Sequence, residues 1–439
     1  MKEIKWVNIF NKTLYEKCLD KFGDYMGDER LVPKLRFSGF DDSFNDNSWI
    51  NYFIKDACDV ITGFPFKSEY YSEKGKYKVL RGDNVKSGFI KWDEKTKCWN
   101  EFTDKLERYL LKENDIIIGM DGSKVGRNQA IILKKDLPSL LAQRVACIRS
   151  NNNFYQEYLK QIFFSDKFTR YVDAVKTGTS IYHISKKQIE NFKFTAPPIE
   201  EQKKIAKFLL NIDNKIGLLE KKHKSYQDFK KYLMQQIFTQ KLRFADCTDE
   251  WKVCKFKDLG TVKSGVGFSN KYQGHLDLDY NVYKVSDMNL KGNEKVMTKS
   301  NNTIDDNILN DMGVKLIREP SIIFAKVGEA IFLNRKRIAK PHFLIDNNMM
   351  AFSPNNNVDL EFMYYLTTSI NFGKYAQTGA LPSYNASDIY SIKCKIPPLE
   401  EQKRIGNLLS LADNKINNCS NQINNVLNFK RGLLQQMFV

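Results

Sequence analysis

A stretch of 42 residues occurs twice in this chain and restricts its fold more than any other feature. Residues 197–238 open as PPIEEQKKIAKFLL and close as FKKYLMQQIF, and residues 397–438 open as PPLEEQKRIGNLLS and close as FKRGLLQQMF. The copies align without a gap and share 18 of 42 positions, against the two or three, roughly, that composition alone would give. Each copy reads as one long helix. The pairs Pro197-Pro198 and Pro397-Pro398 fit only at or before a helix start, since proline lacks the amide donor. The acidic pairs Glu200-Glu201 and Glu400-Glu401 suit the positive end of the helix dipole.

Alternating steps of four and three from Ile205 reach Leu209, Ile212, Ile216, Leu219, His223, Tyr226, Lys230, Leu233 and Ile237. The second copy places Ile405, Leu409, Ala412, Ile416, Cys419, Ile423, Val426, Lys430, Leu433 and Met437 at the same steps. This is a heptad seam, broken in both copies by a lysine beside Phe229 or Phe429. About 40 residues make a rod of roughly 60 Å, and so narrow an apolar stripe needs a partner. Two core helices of an ordinary fold, or a homodimer seam, would also satisfy the heptads. Matched length, register and defects favour the two copies lying against each other.

The chain has 439 residues, 42% of them hydrophobic, enough for several domains with ample cores. We divide it into an N-terminal extension (1–32), a first globular domain (33–196), a central long helix (197–244), a second globular domain (245–396) and a C-terminal long helix (397–439). Met26 is a plausible alternative start, so residues 1–25 need have no role. There is no run of 18 apolar residues and no signal-peptide pattern, which predicts a soluble, cytoplasmic protein. The eight cysteines form no CxxC pair and predict reduced, structural thiols.

The motif KLRF occurs at residues 34–37 and again at 241–244, directly after the first long helix. The second helix stops short of its own copy, which predicts a circular repeat with the N-terminal motif supplying the missing end. Between these landmarks lie two segments of fainter likeness. Tyr77-Lys78-Val79 matches Tyr283-Lys284-Val285, Ile116-Ile117 matches Ile322-Ile323, Lys124-Val125-Gly126 matches Lys326-Val327-Gly328, and residues 151–153 match 355–357. Short β-type runs (KYKVL, DIIIGM, QAIILKK, NVYKV, PSIIFAKV) predict a mixed sheet with many loops. Helix-like runs follow (FYQEYLKQIFFSDKFTRYV, DLEFMYYLTTSINFGKYA), each ending in a glycine-containing loop. The expected class is α+β: two mixed α/β domains and two long antiparallel coiled-coil helices, with an internal pseudo-two-fold that makes the helix pair a ruler.

No catalytic constellation emerges. There is no GxxxxGK loop, Gly265-Val266-Gly267 is a lone GxG that reads as a turn, and the four histidines are scattered with no metal-ligand spacing. His223, on the seam, reads as a structural histidine. Binding chemistry is better represented. The net charge of +17 points to a polyanion, nucleic acid first, and the excess is spread over every segment. Glycine-flanked loops bring together arginine and lysine for guanine edges, asparagine for adenine, and serine or lysine for phosphates. The DNA-binding candidates in the first half are Phe64, Lys67, Arg81, Asn84, Lys86, Ser123, Lys124, Arg127, Asn128, Lys176, Thr179 and Tyr182. Those in the second half are Ser269, Asn270, Lys271, Asn289, Lys326, Asn334, Arg335, Lys336, Arg337, Ser383, Tyr384 and Asn385. A coiled-coil scaffold, or a protein that binds nucleic acid without sequence preference, would show the same charge.

With the helix openings at Pro197–Gln202 and Pro397–Gln402, the endings at Gln235–Phe238 and Gln435–Phe438, and the KLRF leads in view, residues 32–439 resemble the specificity subunit of type I restriction-modification systems. The resemblance implies two target-recognition domains, each reading one half of a bipartite, asymmetric DNA site, with the helices setting the spacer. It implies a non-catalytic subunit that docks two methyltransferase subunits through the exposed faces of residues 200–238 and 400–438, and restriction subunits in the full complex. S-adenosylmethionine, ATP and magnesium would then belong to the partner subunits, and metal and cofactor sites in this chain would be none.

Overall fold

The computed structural model of the protein describes residues 33–38, 40, 49–151, 153–377 and 381–438. The expected extension at 1–32 lies outside the described residues. The two long helices run over Ile199–Phe238 and Leu399–Met437, starting just after each proline pair. Gln202 shows what its repeated position is for: its side-chain amide donates to Pro197 O at 2.9 Å, while its carbonyl accepts from Tyr155 N at 3.0 Å. Gln402 repeats this with Pro397 O and Asp359 N, both at 2.9 Å. Each glutamine thereby stitches a helix start to the first turn of a neighbouring small helix, Gln156–Phe163 or Leu360–Ser369.

The chain separates into two compact units, Met1–Ile216 with Val426–Val439, and Gly217–Asn425. The division falls inside both long helices. Each helix lends one part to each unit, because its seam is covered together with that unit's core. In the first unit Ile205, Leu209, Ile212 and Ile216 share a core with Leu433 and Met437. Lys430 Nζ meets Asp213 at 2.6 Å, and Leu35 N donates to Gln436 O at 2.9 Å while neighbouring Arg36 grips Glu201. The end of one helix thus lies by the start of the other, so they run antiparallel. In the second unit Leu233 and Ile237 share a core with Ile405 and Leu409. There Lys230 pairs with Asp413, and the Cys419 thiol donates to Leu219 O at 3.3 Å, again antiparallel. Among the twenty seam positions none is exposed; eleven are buried, and the nine half-buried ones, among them Leu219, His223, Ile416 and Ile423, lie in the middle of the seam and at its lysines.

The lysines that break the heptads are accounted for by aspartates at matching positions of the opposite helix, Asp213 and Asp413. Both ends of the Lys430–Asp213 pair keep a fifth to a quarter of their side-chain surface, so its strength lies between that of an exposed and a fully buried pair. Asp213→Leu alone should cost about 1–2 kcal/mol by leaving Lys430 unpaired in the seam, whereas Asp213→Leu with Lys430→Leu should be neutral or stabilising. Chemical denaturation of both variants checks this; a double variant less stable than the single one contradicts it.

The circular repeat is observed. Leu242 N donates to Gln236 O at 3.2 Å after the first helix, just as Leu35 N donates to Gln436 O after the second. Phe37 packs edge-on to Phe208, and the Arg404 guanidinium lies 4.1 Å from the Phe244 ring centroid at the corresponding place.

Each unit carries the same β frame. In the first, Cys58–Thr62, Val145–Ser150, Ile116–Gly119 and Gln129–Ile131 form an antiparallel sheet, and Lys97–Trp99, Tyr77–Leu80 and Ser139–Leu141 a second sheet with one parallel pair. In the second, Gly260–Ser264, Met349–Pro354, Ser321–Ala325, Lys336–Ala339 and Val296–Met297 correspond to the first sheet. Thr303–Ile304, Tyr280–Tyr283 and Phe343–Ile345 correspond to the other. The frame corrects two of the expected matches. Val79 pairs with Leu140 as Val282 pairs with Leu344, so Tyr77-Lys78-Val79 corresponds to Tyr280-Asn281-Val282, three residues earlier than Tyr283-Lys284-Val285. Gly122 N donates to Tyr182 O as Gly328 N donates to Pro382 O, so Lys326-Val327-Gly328 corresponds to Met120-Asp121-Gly122 and not to Lys124-Val125-Gly126. Loops of unequal length displaced both matches. The Ile116/Ile322 match agrees with the strand register, and Asn151 and Asn355 each donate from the backbone to the end of the short helix before the first sheet, Ala57 O and Leu259 O.

The expected single helical runs are broken: the first into Gln156–Phe163 and Asp166–Val175, with Ser165 capping the second by accepting from Phe168 N, the other into Leu360–Ser369 and a 3₁₀ turn at Phe372–Tyr375. Among the described residues no helix is long and apolar enough to cross a membrane, and no group of three or more His, Cys, Asp or Glu side chains is placed to hold a metal ion.

Candidate nucleic-acid interface

Several of the loops that carry the candidate residues meet at one short turn in each unit. In the first unit it is Gln143-Arg144, between Ser139–Leu141 and Val145–Ser150. Gln143 N donates to Phe64 O at 2.9 Å, Met120 N donates to Arg144 O at 3.0 Å, and Ala142 N donates to Leu80 O at 2.9 Å. Gly63 passes so close that a Cβ there would lie 2.0 Å from Ala142 O, which is why glycine is needed. Three candidate loops, 62–71, 81–88 and 119–128, thus meet at this turn. In the second unit the turn is Asn347-Asn348. Lys326 N donates to Asn348 O at 2.8 Å, Asp346 N to Tyr283 O at 3.0 Å, and Val266 N to Ile345 O at 2.9 Å. A Cβ on Gly265 would lie 1.7 Å from Asp346 O, so the lone GxG is a close-approach point of the frame.

Around the first turn the structure assembles a cationic surface. Arg127 grips Asp173 through two hydrogen bonds of 2.6 and 3.2 Å, and Lys176 joins the same carboxylate at 2.6 Å with its ammonium 4.4 Å from the Tyr182 ring centroid. Hydrogen bonds from Arg127 and then Lys176 hold the Asp173 carboxyl below its ordinary range. A hairpin bridge, Thr177 to His183, and a second, Asp121 to His183, tie this loop to loop 119–128. Lys67, Ser123, Lys124, Thr179 and Tyr182 are exposed and Lys86 and Asn128 half-buried. Phe64 is half-buried against Phe66 and Tyr109, and Arg81 pairs with Asp83 at 2.7 Å.

Asn84 is a correction: it is buried, its Oδ1 accepts from Arg81 N at 3.0 Å and its amide donates to Lys91 O at 3.0 Å. Its polar atoms close a turn and are unavailable to a ligand.

In the second unit Ser269, Asn270 and Lys271 are exposed on one loop, with Lys271 paired to Asp311 at 3.0 Å and lying over the Tyr272 ring. Asn289 accepts a hydrogen bond from Arg335, and Lys326 and Ser383 are half-buried where Val327 bridges Ser383. Asn385 is exposed but caps the helix Ala386–Tyr390, accepting from Asp388 N at 2.9 Å. Two expectations, Lys336 and Tyr384, fail here because these side chains are buried inside the fold, while Asn334 and Arg337 are half-buried and hydrogen-bonded within it. Lys336 is buried, donates to Ile370 O at 3.1 Å and lies 4.0 Å from the Phe372 ring centroid; burial pulls its pKa down to about 7. Asn334 donates to Ile370 O and accepts from Phe372 N. Arg337 donates to Met288 O and Lys336 O. Tyr384 is buried against Phe324 and Phe372.

Sequence reasoning missed the role of the acidic pair at each helix start. Arg36 Nε and Nη2 donate to Glu201 at 3.0 and 2.7 Å, and Glu201 is wholly buried. Arg243 repeats the fork on Glu401 at 3.0 and 2.7 Å, joined by the Trp251 indole at 3.3 Å. The expected docking face therefore excludes Glu201 and Glu401, while Glu200 and Glu400 stay exposed beside Lys203 and Lys403. The signal was present: KLRF and EEQ recur together.

Set beside known proteins, the chain matches the family model described as the type I restriction modification DNA specificity domain twice, over residues 47–225 and 248–428. The type I restriction enzyme MjaVIII specificity subunit of Methanocaldococcus jannaschii is 27% identical over 326 residues, covering 70% of this chain and 74% of the relative. The crystal structure of the type I restriction-modification S subunit from M. genitalium superposes with a TM-score of 0.56 at 16% identity, over 93% of this chain and 99% of that one. A chain from a structural study of complex assembly and conformational transition of the type I system matches with a TM-score of 0.56 at 15% identity, over 89% and 97%. At these identities the two superpositions speak for the fold alone. The doubled family match, over the two β frames just described, makes this chain a member of the type I restriction-modification DNA specificity family, a specificity subunit with two recognition domains.

Proposed function

We propose that each recognition unit reads its own half of a bipartite, asymmetric DNA sequence, and that the antiparallel helix pair sets the number of unread base pairs between the halves. One observation carries this reading: the same frame occurs twice, with different side chains on its loops. Two like frames suit the local two-fold symmetry of a duplex, while unlike loops make the target asymmetric. The net charge of +17 supplies the salt-dependent part of the affinity.

The partners in this reading are double-stranded DNA, two methyltransferase subunits and, in the full complex, restriction subunits. The chain itself is non-catalytic, and S-adenosylmethionine, ATP and magnesium belong to those partners. Exposed apolar side chains on the long helices, among them Leu218, Phe229, Tyr232, Leu411 and Phe429, offer the partner subunits a docking surface.

Seven residues inserted in each long helix, between 217 and 226 and between 417 and 426, preserve the heptad seam and lengthen the pair by about 10.5 Å. The spacer should grow by about three base pairs, at about 3.4 Å each, with both half-sites unaltered. Sequencing of methylated sites made by the assembled complex reads the outcome; altered half-site bases, or an unchanged spacer, contradict it.

A further inference from the structure

We infer that the turn at the centre of each unit is where base edges are read: Arg144 recognises a guanine in one half-site, and its counterpart Asn348 an adenine in the other. This rests on the reading of the chain as a two-part DNA reader and assigns the residues that give each part its preference.

Three observations converge on Arg144. Its side chain is 73% exposed, although the backbone beneath it is tied to strands and loops on every side. A reader mounted in this way is held to a narrow range of positions. Its backbone adopts a φ of 65°, a conformation that glycine or asparagine accepts and that arginine rarely takes. The position therefore keeps a side chain its backbone disfavours, which points to a use for the guanidinium. The ion pair from Arg144 Nη1 to Asp121 Oδ2 at 3.3 Å is too exposed to supply that use by itself. It does steady the guanidinium and leaves the Nε and Nη2 edge for a bidentate contact with O6 and N7 of guanine. Asp121 is thus a positioning residue.

The second unit repeats the plan with other chemistry. Asn348 O receives Lys326 N–H as Arg144 O receives Met120 N–H. The Asn348 amide donates to Asp346 Oδ2 at 3.3 Å, which fixes its orientation while its carbonyl and second N–H stay available for N6 and N7 of adenine. Asp346 stands where the first unit has Ala142, since Asp346 N donates to Tyr283 O as Ala142 N donates to Leu80 O. The steadying carboxylate therefore comes from the turn itself in one unit and from a neighbouring loop in the other.

The test is Arg144→Asn in the full chain assembled with its methyltransferase subunits, since asparagine suits the backbone and the variant should fold as the parent does. Genome-wide mapping of methylated sites should show discrimination at one guanine-containing base pair falling about 10- to 100-fold, with the other half-site and the spacer unchanged. Asp121→Ala should loosen the same base pair and no other. Asn348→Ala should act on one adenine-containing pair of the opposite half. An unchanged methylated sequence overturns the assignment. So does equal weakening on all sequences with a salt slope lower by about one, the behaviour of a phosphate contact. If the parent complex methylates no bipartite sequence, the functional reading itself fails, an outcome distinct from a normal parent with an unaffected variant.

Discussion

Replacing Arg36 by methionine should destabilise the first unit by about 3–5 kcal/mol, the cost of stripping one partner from a buried ion pair. Glu201 is wholly buried and Arg36 nearly so, and the two meet through a parallel pair of hydrogen bonds at 3.0 and 2.7 Å. Methionine keeps much of the volume but leaves the carboxylate with neither water nor a cation, so the loss is mainly electrostatic. The effect should be local. Leu35 and Phe37 pack against the first unit's core, so release of 34–37 should unmask the start of the helix at 199 and the end of the helix at 437. Urea denaturation should show the lower stability, and amide exchange should rise most in residues 199–209 and 430–437. Adding Glu201→Gln should recover part of the loss by removing the stranded charge. A cost under about 1 kcal/mol for the single variant, or faster exchange spread evenly over the unit, contradicts this account of the helix openings.

That pair also marks where the sequence stopped being legible. The seam was readable because a 3.5-residue period needs only local information, and each of its twenty positions is buried or half-buried. The strand-forming runs were readable for the same reason. Arg36 and Glu201 stand 165 residues apart, and no periodicity joins them; only their joint recurrence as Arg243 and Glu401 hinted at a contact. Loop composition likewise named residue types without the direction each faces. Lys336 and Asn84 carry the chemistry expected of DNA contacts, yet one is buried over the Phe372 ring and the other closes a turn. Arg144 was passed over because its turn carries no glycine flank, and its place at the meeting point of three loops follows from strand pairing across the sheet.

The account depends most on one claim, that each unit reads DNA for itself. The largest change in behaviour should therefore come from exchanging residues 49–196 for the matching segment of another specificity subunit that accepts the same methyltransferase partners. The long helices, the seam pairs Lys430–Asp213 and Lys230–Asp413 and both KLRF anchors are left in place by this exchange. The measurement is the methylated sequence made by the assembled complex, read base by base across both halves of its target. Replacement of one half-site by that of the donor, with the other half and the spacer kept, is the predicted result; a change in both halves, or in neither, would contradict the claim.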